Sequence, residues 1–307
     1  MLSLSRRCYL AARVAAAVVA VIGAARAADE PAFRADSTLV LVPVTVVDRR
    51  GAIVNGLPSD AFTLTENGVR QTIGSFSEED APVSMGIVFD LSGSMRTVLG
   101  PARESLRALL SDANPSDEAF LNTVSTRPQV SSRFTRDFGE ILGRIVLEDA
   151  GGSTALFDTV WDSLKELRSG VHARKALLVI SDGMDNNSRH SRAELLQCAE
   201  ESDVQIYTIA VGAAAAPSTK PVAQMEERRG LLFLDDLARR TGGIGFIVNG
   251  RTDIAKAAAS IGQALRNQYV IGYVPHGDVP SGQWRKIGVK VAVPEMKAYA
   301  RAGYHAD

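Results

Sequence analysis

The amino-acid sequence predicts an α/β protein, a doubly wound and mostly parallel sheet with helices on both faces, inserted in a small β-sandwich made from both chain ends. Three observations carry that reading. Val83–Phe89, Ala176–Ser181 and Val204–Val211 are nearly continuous apolar runs, the pattern of strands covered on both faces in a parallel sheet. Helix-length amphipathic stretches separate them, which implies βαβ units. The two ends carry shorter, partly alternating β segments broken by turn residues, too few at either end to bury a core alone.

Residues 1–27 stand apart. Arg6-Arg7, an Ala/Val-rich run from Val14 to Ala25, and Ala25-Arg26-Ala27 match the charged, apolar and A-x-A parts of a secretory signal, with cleavage expected before Ala28. The apolar run is shorter than the roughly twenty residues of a membrane span. Ser5-Arg6-Arg7-Cys8-Tyr9-Leu10 also fits a twin-arginine export motif as well as an ordinary basic start. A periplasmic or secreted protein is expected. Four of the 34 basic side chains precede Ala28 and none of the 35 acidic ones does, so the mature chain carries about −5 and no polyanion-binding surface is implied. With Cys8 removed, Cys198 is alone on a helix face, a thiol expected to be buried and inert.

The N-terminal half of the sandwich, residues 36–80, begins with Thr38–Asp48 (TLVLVPVTVVD), a turn at 48–51 and Ala52-Ile53-Val54. Phe62–Thr65 and Val69–Phe76 then flank Glu66-Asn67-Gly68, and Asn-Gly is a strong hairpin signal. The C-terminal half, residues 268–305, offers Gln268–Val274, the alternating run Arg285–Val293 and Tyr299–Tyr304. Joined, the two ends would cover each other's apolar faces, with residues 82–267 forming the domain between them.

In that central domain helices are predicted over Met95–Leu110, Phe138–Leu147, Ala155–Leu167, Ala193–Ser202, Leu231–Arg240 and Ile254–Arg266. Strands are predicted over Glu118–Val124, Val130–Phe134 and Gly245–Val248 besides the three apolar ones. Thr154 opens the third helix, whose free N–H groups would bias it toward an acidic partner. Residues 213–229 form a longer excursion at the carboxyl end of the third apolar strand. They are expected to help choose the partner, the alternative being a mobile surface loop.

Function is carried by the end of the first apolar strand. Asp90, Ser92 and Ser94 follow it at alternate positions, placing a carboxylate and two hydroxyls in one turn. Hard oxygen donors of this kind suit a small hard cation such as Mg²⁺. The motif resembles the metal-ion-dependent adhesion site of von Willebrand factor type A domains, whose pattern is Asp-x-Ser-x-Ser with a distant Thr and a distant Asp. Gly151–Leu156 (GGSTAL) resembles the Thr loop, and Leu177–Asp185 (LLVISDGMD) the second strand ending in Asp. Val44–Gly51, Glu66-Asn67-Gly68 and Tyr269–Tyr273 further resemble the flanks of exported bacterial proteins with the von Willebrand type A-related domain first recognised in acidobacteria.

The resemblance implies metal ligation by Asp90, Ser92, Ser94, Thr154 and Asp182, with Mg²⁺ (or Mn²⁺ or Ca²⁺) bridging to a carboxylate on a partner protein. It implies adhesion and no catalysis. Asp185, Asn186 and Asn187 could add water-mediated contacts or form only the turn. A metal-free scaffold of the cell envelope is the alternative, and a Mg²⁺-dependent hydrolase a second. The hydrolase lacks parts: position 92 is Ser where phosphoryl transfer would want Asp, and Lys175 precedes its strand at the wrong end. His172, His190, His276 and His305 lie on predicted loops or ends, and His190 is expected to be solvated. Trp161 and Trp284 are read as core residues.

Overall fold

The computed structural model describes residues 39–125, 129–147, 151–212, 221–275 and 282–306. The signal-like segment 1–27, residues 213–220 and His276 lie outside the described residues.

Six strands form the central sheet: β5 (Val83–Asp90), β6 (Glu118–Val124), β7 (Gln129–Thr135), β8 (Arg174–Ser181), β9 (Gln205–Val211) and β10 (Gly245–Val248). Their order is β10-β9-β8-β5-β6-β7. All neighbours are parallel except β7, which pairs antiparallel at one edge. All eight residues of β5 are buried, as its unbroken apolar pattern demands of a central strand. Side-chain alternation splits the core into two layers. Met85, Ile87 and Phe89 join Ala176, Leu178 and Ile180 beneath α1 (Leu99–Ser111), α2 (Phe138–Leu147) and α6 (Arg251–Arg266). Val88, Leu177 and Val179 face α3 (Leu156–Glu166), α4 (Arg192–Glu201) and α5 (Pro221–Arg240).

Both chain ends contribute to each of two antiparallel sheets. One has the order β13-β1-β11-β4, from β1 (Val40–Val47), β4 (Ser75–Glu79), β11 (Gln268–Tyr273) and β13 (Lys297–Tyr299); the other is β14-β12-β2-β3, from β2 (Phe62–Glu66), β3 (Val69–Arg70), β12 (Trp284–Val291) and β14 (Gly303–His305). They share one apolar core of Val40, Val42, Val44, Val46, Phe62, Leu64, Tyr269, Ile271, Tyr273 and Ile287. Within it Glu66 is 4% exposed. It pairs with Arg285 Nε at 2.8 Å and accepts the phenol hydroxyls of Tyr273 and Tyr304. Burial and the Glu66 carboxylate hold the Tyr273 phenol protonated far above its usual range.

Several elements differ from the sequence expectation. The run Val69–Phe76 divides between β3 and β4, which lie in different sheets, and Tyr299–Tyr304 divides between β13 and β14. Ile53 makes only an isolated bridge to Val47. A 3-10 turn occupies Gly93–Thr97, so α1 starts at Leu99 rather than Met95. Helix α5 starts at Pro221, a residue that favours a first helical turn, so the second half of the expected excursion 213–229 is helix and no loop. Asn67 (φ 49°) and Gly68 (φ 83°) adopt the left-handed pair expected of a tight hairpin.

Replacing Glu66 takes the ion-pair partner from a largely buried Arg285, whose guanidinium keeps its charge. Glu66→Ala is expected to lower unfolding free energy by about 3 kcal/mol, measured as a shifted urea midpoint.

Candidate functional site

Asp90 is the last residue of β5 and is wholly buried. Its Oδ1 accepts the Ser92 N–H at 2.8 Å and its Oδ2 the Ser181 hydroxyl at 2.6 Å. Ser181 ends the neighbouring β8, so the carboxylate is held across two adjacent strand ends. Ser92 and Ser94 present hydroxyls 3.0 Å apart. Ser92 is buried and Ser94 exposed, which places the pair at the mouth of the turn. Asp182 follows Ser181, is 8% exposed, and turns one oxygen onto the Met184 N–H at 2.9 Å.

Thr154 arrives by a different route. Gly151 donates its N–H to the Leu91 carbonyl at 2.8 Å, which ties the Thr154 loop to the Asp90 turn. The Thr154 N–H donates to Asn186 Oδ1 at 2.9 Å, and its carbonyl accepts the N–H groups of Asn186 (3.0 Å) and Asn187 (3.1 Å). All three predicted loops are therefore hydrogen-bonded to one another at the carboxyl ends of β5 and β8. Thr154 stands two residues before α3, with Ala155 at the cap, rather than opening the helix.

Burial raises the Asp90 carboxyl to about 6, with the Ser181 and Ser92 hydrogen bonds opposing the shift and the charge of Asp182 adding to it. Among the described residues no Lys or Arg forms an ion pair with Asp90 or Asp182. Nor do these residues gather three or more His, Cys, Asp and Glu side chains into a metal-holding group. The five expected ligands offer two carboxylates and three hydroxyls, all hard oxygen. Two carboxylates at neighbouring strand ends, with no basic side chain paired to either among the described residues, fit a hard divalent cation, and fit zinc poorly.

The residues that sequence reasoning missed sit behind Thr154. Two of the first α3 N–H groups are already taken within the chain. Phe157 N–H donates to Asp185 Oδ2 at 2.9 Å and Asp158 N–H to Ser188 Oγ at 3.0 Å. His190, expected to be solvated, binds the buried Asp158 through Nδ1 at 2.6 Å and stacks on Trp161 at 4.1 Å. The polar run DNNSRH after the second apolar strand was the available signal, and it reads like any turn. Cys198 is only partly buried, and burial raises its thiol above the usual value. Gly183 (φ +76°) lies against Gly230 of α5, where a Cβ would stand 2.4 Å from the Gly230 carbonyl oxygen.

No family model and no curated protein matches the chain. Solved structures do. The pilus adhesin SpaC of Lactobacillus rhamnosus GG, in an open conformation, is 8% identical with a TM-score of 0.50, over 81% of this chain and 48% of its own. The von Willebrand factor domain of the type V pili tip protein Mfa5 from Porphyromonas gingivalis is 13% identical with a TM-score of 0.48, over 60% of this chain and 95% of its own. A von Willebrand factor type A protein from Catenulispora acidiphila is 12% identical with a TM-score of 0.48, over 90% and 76%. The likeness is one of fold alone.

Burial disfavours the charged form of Asp158, but hydrogen bonds from His190 and Arg189 outweigh it and lower the carboxyl to about 2. A depressed carboxyl contributes stability that is complete above its unfolded value near 3.8 and is lost as pH falls through about 2. Asp158→Asn is expected to cost about 1–2 kcal/mol at neutral pH. In denaturation curves the gap from the native chain should close between pH 4 and pH 2.

Proposed function

We propose that this chain is an exported, metal-dependent protein-binding module. Asp90, Ser92, Ser94, Thr154 and Asp182 would hold one divalent cation, Mg²⁺ before Mn²⁺ or Ca²⁺, and the partner would supply a carboxylate. A shell rich in neutral hydroxyls leaves a dication under-neutralised, so an outside acid is the natural remaining ligand. The observation that carries this reading is the pairing of a wholly buried Asp90 with Asp182, without a basic side chain on either among the described residues. A bound cation would supply the missing positive charge and a docking point for the partner's oxygen. A metal-free scaffold would have to keep both carboxylates together uncompensated.

The module is proposed to be non-catalytic. Ser92 and Ser94 share a hydrogen bond with each other, and among the described residues neither is bonded to a histidine or a lysine. His190 is committed to Asp158, and Lys175, inside β8 at the end remote from the site, donates to the Arg168 carbonyl at 3.2 Å. Such a nucleophile has no activating partner. Export follows from the signal-like residues 1–27, and no helix among the described residues is long and apolar enough to cross a membrane.

Removing the buried charge separates the readings by sign. Without metal, Asp90→Asn is expected to melt at or above the wild-type temperature, since it relieves desolvation and the Asp182 repulsion. With Mg²⁺ at about 100 times its Kd, wild type should gain roughly 2.7 kcal/mol and the variant nothing. Capture of envelope proteins by immobilised chain should then need Mg²⁺, fail with chelator and fail for Asp90→Ala. Equal capture in all three cases would leave the scaffold reading, and turnover of a phosphate ester lost in Asp90→Ala would leave the hydrolase.

A further inference from the structure

We propose that Asp158 and His190 are positioning residues of this site: they bind the Thr154 loop and the loop after Asp182 into one rigid body, so that both ligands meet a cation already in register. Only the consequence for the cation rests on the metal reading above.

Asp158 belongs to the first turn of α3 and is 3% exposed. One of its oxygens accepts the Arg189 N–H (3.1 Å), the His190 N–H (3.0 Å) and His190 Nδ1 (2.6 Å). The other accepts the Arg189 N–H at 3.1 Å and Arg189 Nε at 3.2 Å. An ionised carboxylate only accepts, so Nδ1 carries the imidazole proton. The ring is fixed from a second side by Trp161, one helical turn beyond Asp158, stacked at 12° between planes. Arg189 is 82% exposed along its side chain and adds little. The His190 bond and the two backbone N–H bonds reach a dry carboxylate, where charge-assisted bonds are strong.

These contacts form the far end of a seam. Asn186 and Asn187 grip both sides of the Thr154 peptide, Asp185 and Ser188 take the first N–H groups of α3, and Asp158 takes 189–190. Every one of these bonds joins 154–158 to 185–190, and none involves the Asp90 turn. Thr154 and Asp182 thus move together, and freeing residue 190 unfastens the seam at the end remote from the cation. Partners behind metal ligands commonly govern affinity by 10–100-fold through orientation alone.

The test uses the full mature chain, amide hydrogen exchange and titration with Mn²⁺. His190→Ala is expected to speed exchange at Thr154, Phe157, Asn186 and Asn187 together, leave β12 amides unchanged, and weaken Mn²⁺ about tenfold. His190→Asn, whose side-chain amide can stand in for Nδ1–H, is expected to recover much of both. Unchanged exchange in His190→Ala overturns the rigid body. Faster exchange with unchanged Mn²⁺ affinity overturns the positioning role. Should wild type take up no Mn²⁺, the metal reading and the positioning role fall, and the exchange data still decide whether the seam is one body. A stability loss without local exchange or recovery by Asn would mean an ordinary structural contact.

Discussion

A carboxylate at the end of a strand buried on both faces has few ways to remain where it is. Asp90 cannot be covered by water, because β6 and β8 flank β5 and helices close both faces. It is satisfied partly by Ser92 from its own turn and by Ser181 from the next strand. Those bonds reduce the cost of the charge but do not supply a counter-charge, and Asp182 worsens the balance. The sheet order explains why the problem arises here. From β5 the chain steps to β6 on one side and later returns to β8 on the other, so the strand ends diverge at the switch point where doubly wound sheets open a crevice.

The loops around that crevice are built for placement rather than for energy. Hydrogen bonds within the Thr154–Asn186 seam are individually worth about 1 kcal/mol, yet together they leave the Thr154 backbone one arrangement. The Gly183–Gly230 approach works in the same sense. A left-handed φ at Gly183 and backbone-to-backbone contact with α5 set the path of the chain straight after Asp182. Both devices lie on the side of the site away from the Asp90 turn, whose 3-10 geometry at Gly93–Thr97 is tied down mainly by its own short-range bonds.

Legibility in the sequence followed burial and period. The apolar runs at β5, β8 and β9 announce themselves because a strand with no wet face has no polar alternation to confuse it. The hairpin at Asn67-Gly68 was equally plain, since left-handed φ demands those residues. What failed were choices settled by tertiary partners. Nothing local says that Arg70 ends one sheet's hairpin and Ser75 begins the other sheet's edge, or that Met95 turns as 3-10 when its spacing also suits an α-helix. Asp90, Ser92 and Ser94 could be read from spacing at a strand end. Asp158 and His190 could not, because 32 positions separate them and each alone is a common helix-start acid or loop imidazole.

The same physics governs how the central domain is set into the sandwich. An insertion needs its two crossings close together, and here one guanidinium touches both. Arg174 at the start of β8 donates to the Ala81 carbonyl at 2.6 Å before β5, and to the Leu265 carbonyl at 2.9 Å and Gln268 Oε1 at 3.0 Å where α6 passes into β11. Arg266 adds Asp80 and the buried Asp117, each at 2.8 Å, and Asp117 in turn accepts the Val83 N–H at 2.8 Å. Ion pairs in such dry places return little net stability against apolar replacements. Their directional bonds fix where the chain crosses, so the base of β5 is as firmly located as its far end at Asp90. A site whose ligands come from separate loops needs that reference, because a strand free to slide by one residue would carry Asp90 out of reach of Ser181.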